Sequence, residues 1–234
     1  MIRMISPYSL LLTPYFRAKR AGFTLVEMMV CIAIFAMMTA LLVAKYGNFN
    51  QSVLLTDLAY DTAITVNTAQ TYGLSVQSSN VGAGSSFNYA YGVEFCANPA
   101  ASGCGSVSNG GTTINLYNNL LVLFADANIN GSIIGDGIYN TGDIQESLYT
   151  ITRGAVISSI CVSNANGNDC PNSTNVTRLD ITFKRPNPDA AICINGIPCT
   201  ASNGYPYAKI TIKGTDGSTR QVIVRGTGQV SVQE

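Results

Sequence analysis

The distribution of apolar residues divides the chain into a helical part and a β part. From Phe23 to Ala44 the only charged residue is Glu27. At the helical rise that stretch spans about 30 Å, the thickness of a bilayer core, so it reads as a membrane helix. Gly47 and Asn48 then lower helical propensity and predict a break. Residues 50–78 read as a weaker amphipathic helix. Leu55, Leu58, Ala59, Thr62, Val66, Ala69 and Gly73 fall on one face at three- and four-residue spacings. Its many threonines are poor helix formers, so packing against a second element must stabilise it. Ser78–Ser86, rich in Gly, Ser and Asn, reads as a linker.

Beyond the linker the period changes from helical to alternating. Phe87, Tyr89, Tyr91, Val93 and Phe95 predict a half-buried strand, and Leu120–Phe124 a strand buried on both faces. Val156, Ser158, Ile160 and Val162 alternate less cleanly, whereas Leu179, Ile181 and Phe183 alternate with Arg178, Asp180 and Thr182. Ile210 and Ile212 lead into the turn Gly214-Thr215-Asp216-Gly217-Ser218, and Val222 and Val224 return as a hairpin. The expected fold class is α+β. A long N-terminal helix, membrane-spanning in its first half, packs against a C-terminal antiparallel β-sheet or sandwich head.

Composition narrows the function. Only 11% of the 234 residues are charged and 47% are hydrophobic. The formal net charge is zero, but residues 1–22 hold Arg3, Arg17, Lys19 and Arg20 with no acid, leaving nine bases against thirteen acids beyond them. A basic cluster before an apolar span retains that end in the cytoplasm. The acidic remainder argues against a large nucleic-acid-binding face. The chain has no His, which removes the usual general base and the commonest zinc ligand. No phosphate loop, nucleophile elbow or paired metal motif is present, and no enzymatic activity is expected.

Arg20-Ala21-Gly22-Phe23-Thr24-Leu25-Val26-Glu27 resembles the cleavage site of type IV prepilins and type II secretion pseudopilins. That resemblance implies that a prepilin peptidase cuts after Gly22 and methylates the new amine of Phe23. It also implies that Glu27 offsets the N-terminal ammonium of a neighbouring subunit in an assembled filament. The physics agrees, because a carboxylate one turn into a membrane span is costly and needs a partner. A secretory signal peptide would be cut after its apolar run, not before it, and a plain anchor has no use for Glu27. The implied organisation is a leader at 1–22, an assembly helix at 23–46, its amphipathic continuation at 47–80 and a β-rich head at 81–234. The implied partners are the peptidase, sister pilin or pseudopilin subunits, an assembly platform with its ATPase, and membrane lipid before assembly. The head would lie outside the cytoplasm, anchored in the inner membrane and then held in a filament.

Seven cysteines add a redox argument. Cys31 lies within the span and reads as a small hydrophobe. The others fall as Cys96 and Cys104, Cys161 and Cys170, Cys193 and Cys199. In a head outside the cytoplasm they read as disulfides, with local pairing favoured among the 15 connectivities open to six cysteines. Each short loop closure contributes about 2–3 kcal/mol. Free thiols in a reducing host are the alternative. No spacing is CxxC, which disfavours a metal site.

One loop invites a cofactor. Asp126, Asn128 and Asn130, followed by Gly131, match the first half of a calcium loop, but Gly137 stands at the twelfth position where a bidentate Glu belongs. Asp136, Asp143 and Glu146 are near enough to substitute. A hydrated turn is the favoured reading and calcium its alternative; no other cofactor is expected.

Leu123-Phe124-Ala125-Asp126, Gly142-Asp143 and Thr219–Val224 before Gly228-Gln229-Val230 are similar to the heads of H-type pseudopilins and FimT-like minor pilins, over residues 87–233. Some competence pilins of that kind capture DNA through a C-terminal Gly-Arg-x-Arg segment. Here Gly226-Thr227-Gly228-Gln229-Val230 lacks those arginines, with only Arg220 and Arg225 nearby, which argues against DNA binding. The function expected is therefore a structural filament subunit, a minor pilin or pseudopilin. The alternative is a membrane-tethered extracellular β-domain acting as an adhesin or calcium module without filament assembly.

Overall fold

The computed structural model describes residues 22–75, 79–81, 84–86, 89–97, 104, 106–109, 112–115, 118–127, 135–140, 142–163, 176–199 and 205–234, with side chains omitted at 45–50, 79–81, 84–86, 106–109 and 112–115. Helix α1 spans Leu25–Leu74. The chain forms two compact units, Met1–Tyr46 and Gly47–Glu234.

In the first unit, every described residue from Gly22 to Ala44 is exposed. Leu25–Ala44 has a mean hydropathy of 2.4 and is long and apolar enough to cross a membrane. The break predicted at Gly47 and Asn48 is absent, and α1 runs through both. A single Gly costs only about 1 kcal/mol in a helix, and cooperative hydrogen bonding on either side carries the chain through.

The second unit is built on the C-terminal part of α1. All seven residues of its predicted inner face are buried, together with Ala63. The helix stops at Leu74, short of the predicted Ser78. Gly73 lies against β9 (Arg178–Lys184), where an added Cβ would strike the carbonyl oxygen of Phe183. The Arg185 amide donates to the Gly73 carbonyl (3.2 Å), which satisfies one of the orphan acceptors of the last turn.

Two antiparallel sheets pack on this helix. The first orders β10 (Asn187–Ile194), β9, β3 (Ala90–Cys96), β6 (Leu120–Asp126) and β7 (Ile144–Thr150). The second orders β13 (Val230–Gln233), β12 (Thr219–Arg225), β11 (Tyr207–Lys213) and β8 (Val156–Val162). One apolar core joins Leu55, Ala59 and Val66 of α1 to Val93, Leu121 and Ile181 of the first sheet and Ile157, Ile210 and Val222 of the second. Two small hairpins complete the described strands, β1 (Ser79–Val81) with β2 (Gly84–Ser86) and β4 (Ser106–Asn109) with β5 (Thr112–Asn115). The first hairpin replaces the expected linker. Ladder hydrogen bonds need only backbone, so small polar residues can pair without an apolar signature.

Three further differences have local causes. β3 is buried on both faces, not one, because it lies at the centre of its sheet and a loop covers its polar side. The imperfect alternation of β8 is a bulge: Thr211 pairs with Ser159 and Ile212 with Ile157, so Ser158 is the extra residue. Edge strands β7 and β10 escaped prediction for the same reason. Bulges at Glu146 and at Pro188-Asp189 break their two-residue period.

Candidate functional site

The N-terminal candidate is assembled by the helix start itself. Thr24 is the N-cap of α1 and Glu27 stands three residues on. The Glu27 amide donates to Thr24 Oγ1 (3.2 Å), and the Thr24 amide donates to Glu27 Oε2 (3.5 Å). This reciprocal capping box satisfies two donors that a helix start leaves unpaired. It also places the carboxylate at the positive end of the helix dipole, one residue from the nitrogen of Phe23. Gly22 and Phe23 are exposed, and a Cβ added at Gly22 would meet nothing within 4 Å. Cys31, further along, is exposed as well. The segment thus presents an accessible Gly-Phe bond followed by one fixed carboxylate at the head of an apolar helix.

A second polar cluster lies on the far face of the five-stranded sheet. There Glu94, Arg178 and Asp180 come together, with Glu94 and Asp180 as cross-strand partners. Arg178 grips Asp180 with two bonds, Nε to Oδ2 at 2.8 Å and Nη2 to Oδ1 at 2.9 Å, and its Nε lies 3.1 Å from Glu94 Oε1. Both carboxylate side chains are 0% exposed. The covering loop adds backbone groups: Arg178 Nη2 donates to the Tyr139 carbonyl (2.7 Å), and the Tyr139 amide donates to Asp180 Oδ1 (3.1 Å). Burial drives the Asp180 carboxyl above its ordinary range against the pull of Arg178. Burial likewise pushes the Tyr139 phenol up to about 12, assisted by the Glu94 charge. Its charges are paired with one another and with the backbone of the covering loop, an arrangement suited to structural work.

Aspartates anchor the same loop. Asp126 accepts from the amides of Gly135 (3.2 Å) and Gly137 (2.8 Å), and Asp143 from those of Ala127 (3.0 Å) and Asn140 (2.6 Å). Asp136 accepts from the Ile138 amide (3.1 Å) and from Asn140 Nδ2 (2.7 Å). Of the calcium candidates, Asp126, Asp136 and Asp143 are therefore occupied by backbone and side-chain donors, whereas Asn128 and Asn130 lie outside the described residues. Among the described residues, no group of three or more His, Cys, Asp or Glu side chains could hold a metal ion.

Burial raises the Asp126 carboxyl from 3.8 to about 7, with the charges of Asp143 and Asp136 adding to the shift. The folded chain then keeps this proton up to about pH 7, while the unfolded chain loses it near 3.8. The unfolded state binds fewer protons across that window, so stability falls as pH rises through it. Urea denaturation should show the protein less stable at pH 8 than at pH 5, and Asp126→Asn should flatten the difference. Equal pH slopes for variant and wild type would contradict this assignment.

Two disulfides join Cys96 to Cys104 and Cys193 to Cys199, with Cα atoms 5.9 and 5.5 Å apart. Cys161 is also disulfide-bonded; its expected partner Cys170 lies outside the described residues. The second bridge abuts the covering loop, where the Cys199 amide donates to the Asp136 carbonyl (2.8 Å). Gly137 has φ +83°, and an added Cβ there would come within 2.6 Å of the Cys199 carbonyl and 2.9 Å of Cys193 Sγ. Glycine is required at this point on both counts.

Sequence reasoning missed the Glu94–Arg178–Asp180 cluster and the partner of Glu27. The second had a readable signal, since Thr24-x-x-Glu27 before an apolar run is a capping-box pattern. The first had only the charged residues at alternate positions of β9, which a solvated face shows equally well.

Among known families, the Prokaryotic N-terminal methylation motif matches residues 17–43. No curated protein and no solved structure matches the chain. The match covers the basic cluster, the Gly-Phe junction, the capping box and most of the apolar stretch, giving the chain a type IV pilin-like N-terminal segment.

Proposed function

We propose that this chain is a structural, non-catalytic subunit of a type IV pilus-like filament. Prepilin peptidase cuts it after Gly22 and the amine of Phe23 is methylated. The observation that carries this reading is Glu27, the single charge in the exposed apolar stretch Phe23–Ala44, inside a methylation motif at residues 17–43. In the membrane that carboxylate is costly. In a filament it meets the ammonium of a neighbouring subunit while the apolar helices pack on one another, exchanging lipid for protein. The basic cluster before the helix favours a cytoplasmic start, and the disulfides favour a head in an oxidising compartment. Assembly then needs sister subunits, a platform protein and an ATPase. The short motifs at Leu123–Asp126 and Thr219–Val224 favour a minor pilin or pseudopilin over a bulk subunit.

Intact-mass spectrometry of material from sheared surface filaments and from membranes tests the reading. The expected species starts at methylated Phe23 and is two hydrogens lighter for each disulfide. Its abundance in the sheared fraction separates a bulk from a minor subunit. A chain still starting at Met1, found in membranes alone, would replace the filament subunit with a tethered β-domain.

A further inference from the structure

We propose that the unit Gly47–Glu234 holds a ligand site, a hollow on the outer face of the five-stranded sheet that takes a small carboxylate with a ring-sized apolar body. Such a site goes beyond the filament reading and is independent of it, since none of its residues lies in the apolar stretch Phe23–Ala44.

The hollow measures about 390 Å³ and is bounded, among the described residues, by the ends of β3, β9 and β10 and by Gly135, Gly137 and Cys199 above them. Its floor follows from side-chain size. Thr182 of β9 pairs with Gly92 of β3 on one side and with Ala191 of β10 on the other. Ala90 lies two residues along β3 on the same face, which is also the face of the buried ion cluster. There Glu94, Arg178 and Asp180 fill the space beneath the loop. Alanine and threonine are too small to do so, and the sheet is left hollow at this end. The Asp126 carboxyl closes the inner wall, its oxygens held by the Gly135 and Gly137 amides. The volume is at the small end of the range for ligand sites, enough for one substituted ring.

Two polar groups are placed to meet a ligand. Thr182 is 4% exposed, and its hydroxyl has no hydrogen-bond partner among the described residues. Its methyl covers Gly92, where an added Cβ would strike it, so the hydroxyl is the group left to face the hollow. A buried hydroxyl without a partner is costly, and a polar group of a bound molecule relieves that cost. Lys184 is exposed at the mouth, its Nζ 3.4 Å from the point that a Cβ on Gly135 would occupy. Arg185 is already engaged within the chain, so Lys184 is the cation offered to a ligand.

These positions suit one negative charge at Lys184, an apolar body over Ala90 and Ala191, and a polar group that reaches Thr182. A carboxylate accepts from an ammonium in a charge-assisted bond. Asp189 is exposed on the same rim. A dianion such as phosphate therefore meets a repulsion that a monoanion feels less strongly.

Methyl NMR of the oxidised full chain in detergent, labelled at its alanines, reads binding at Ala90 and Ala191 and ignores probe dissolved in the micelle. The probe is para-hydroxybenzoate, compared with benzoate, the neutral para-hydroxybenzamide and inorganic phosphate. The expected result is saturable shifts at both methyls, with a dissociation constant on the order of 1 mM or below. The amide should bind about tenfold more weakly. Lys184→Gln should weaken para-hydroxybenzoate about tenfold and leave the amide unchanged. Thr182→Val should weaken para-hydroxybenzoate roughly threefold and leave benzoate unchanged. Ala191→Leu should fill the hollow and abolish the shift at Ala90; if it unfolds the head, the Lys184 and Thr182 variants decide. Equal affinity for acid and amide would overturn the carboxylate assignment. Phosphate binding as tightly as para-hydroxybenzoate would reduce the site to an adventitious anion patch. No saturable shift at Ala90 or Ala191 would remove it altogether.

Discussion

Replacing Arg178 with methionine destabilises the head by about 3–5 kcal/mol, the cost of removing one partner from a buried ion cluster. Against a total stability of order 5–15 kcal/mol for a domain, that leaves a marginal fold. The reason lies in what remains. Methionine fills most of the volume, but Glu94 and Asp180 are left at 0% exposure with no cation between them. The Tyr139 carbonyl also loses its guanidinium donor. Lysine recovers only part of the loss, since a single ammonium cannot reproduce the two-pronged grip on Asp180. Adding Asp180→Asn and Glu94→Gln to Arg178→Met recovers most of it by removing the stranded charges. Urea denaturation of the oxidised full chain at neutral pH measures each step. A loss below about 1 kcal/mol for the first variant, the range of exposed pairs, would show the cluster to be solvated in solution.

If the chain is a filament subunit, removing the charge of Glu27 should block assembly without disturbing insertion. The capping box allows the two roles of this side chain to be separated. Glu27→Ala loses both the bond to the Thr24 amide and the negative charge. Glu27→Gln keeps a side-chain oxygen for that amide, as capping boxes permit, and loses the charge alone. Both variants should reach the membrane and be cut after Gly22. Both should lower sheared-filament yield on the order of tenfold or more, since an ammonium buried among apolar helices without its counter-charge is costly. Quantitative immunoblots of sheared and membrane fractions supply the numbers. Normal filaments from Glu27→Gln would reduce the residue to a helix cap.

Much of the architecture was legible in the chain because apolar period is a local property. The stripe from Leu55 to Gly73, the run Leu120–Phe124 and the hairpin around Gly214–Ser218 each announce themselves within a few residues. The edge strands did not, since one extra residue at Glu146 or at Pro188-Asp189 reverses the side on which each following residue falls. The polar core was hidden for a different reason. Arg178, Asp180 and Thr182 alternate with apolar residues as a solvated strand face would. Only the loop at residues 135–140, distant in sequence, closes over them. The N-terminal motif was readable because it lies in one short contiguous stretch, matched by the methylation motif at residues 17–43.

The way that loop is held has a consequence for how the sequence can vary. Six main-chain amides, those of Ala127, Gly135, Gly137, Ile138, Tyr139 and Asn140, donate to the carboxylates of Asp126, Asp136, Asp143 and Asp180. Amides are common to every residue but proline, so the four aspartates recognise the path of the loop more than its composition. Gly135 and Gly137 are constrained by φ values of +83°, and Asp136, Ile138 and Tyr139 are buried, so the loop's own side chains are constrained as well as its path. A substitution in this loop must therefore keep the main-chain path and the buried volume at once, so sequence change is confined to residues that meet both demands.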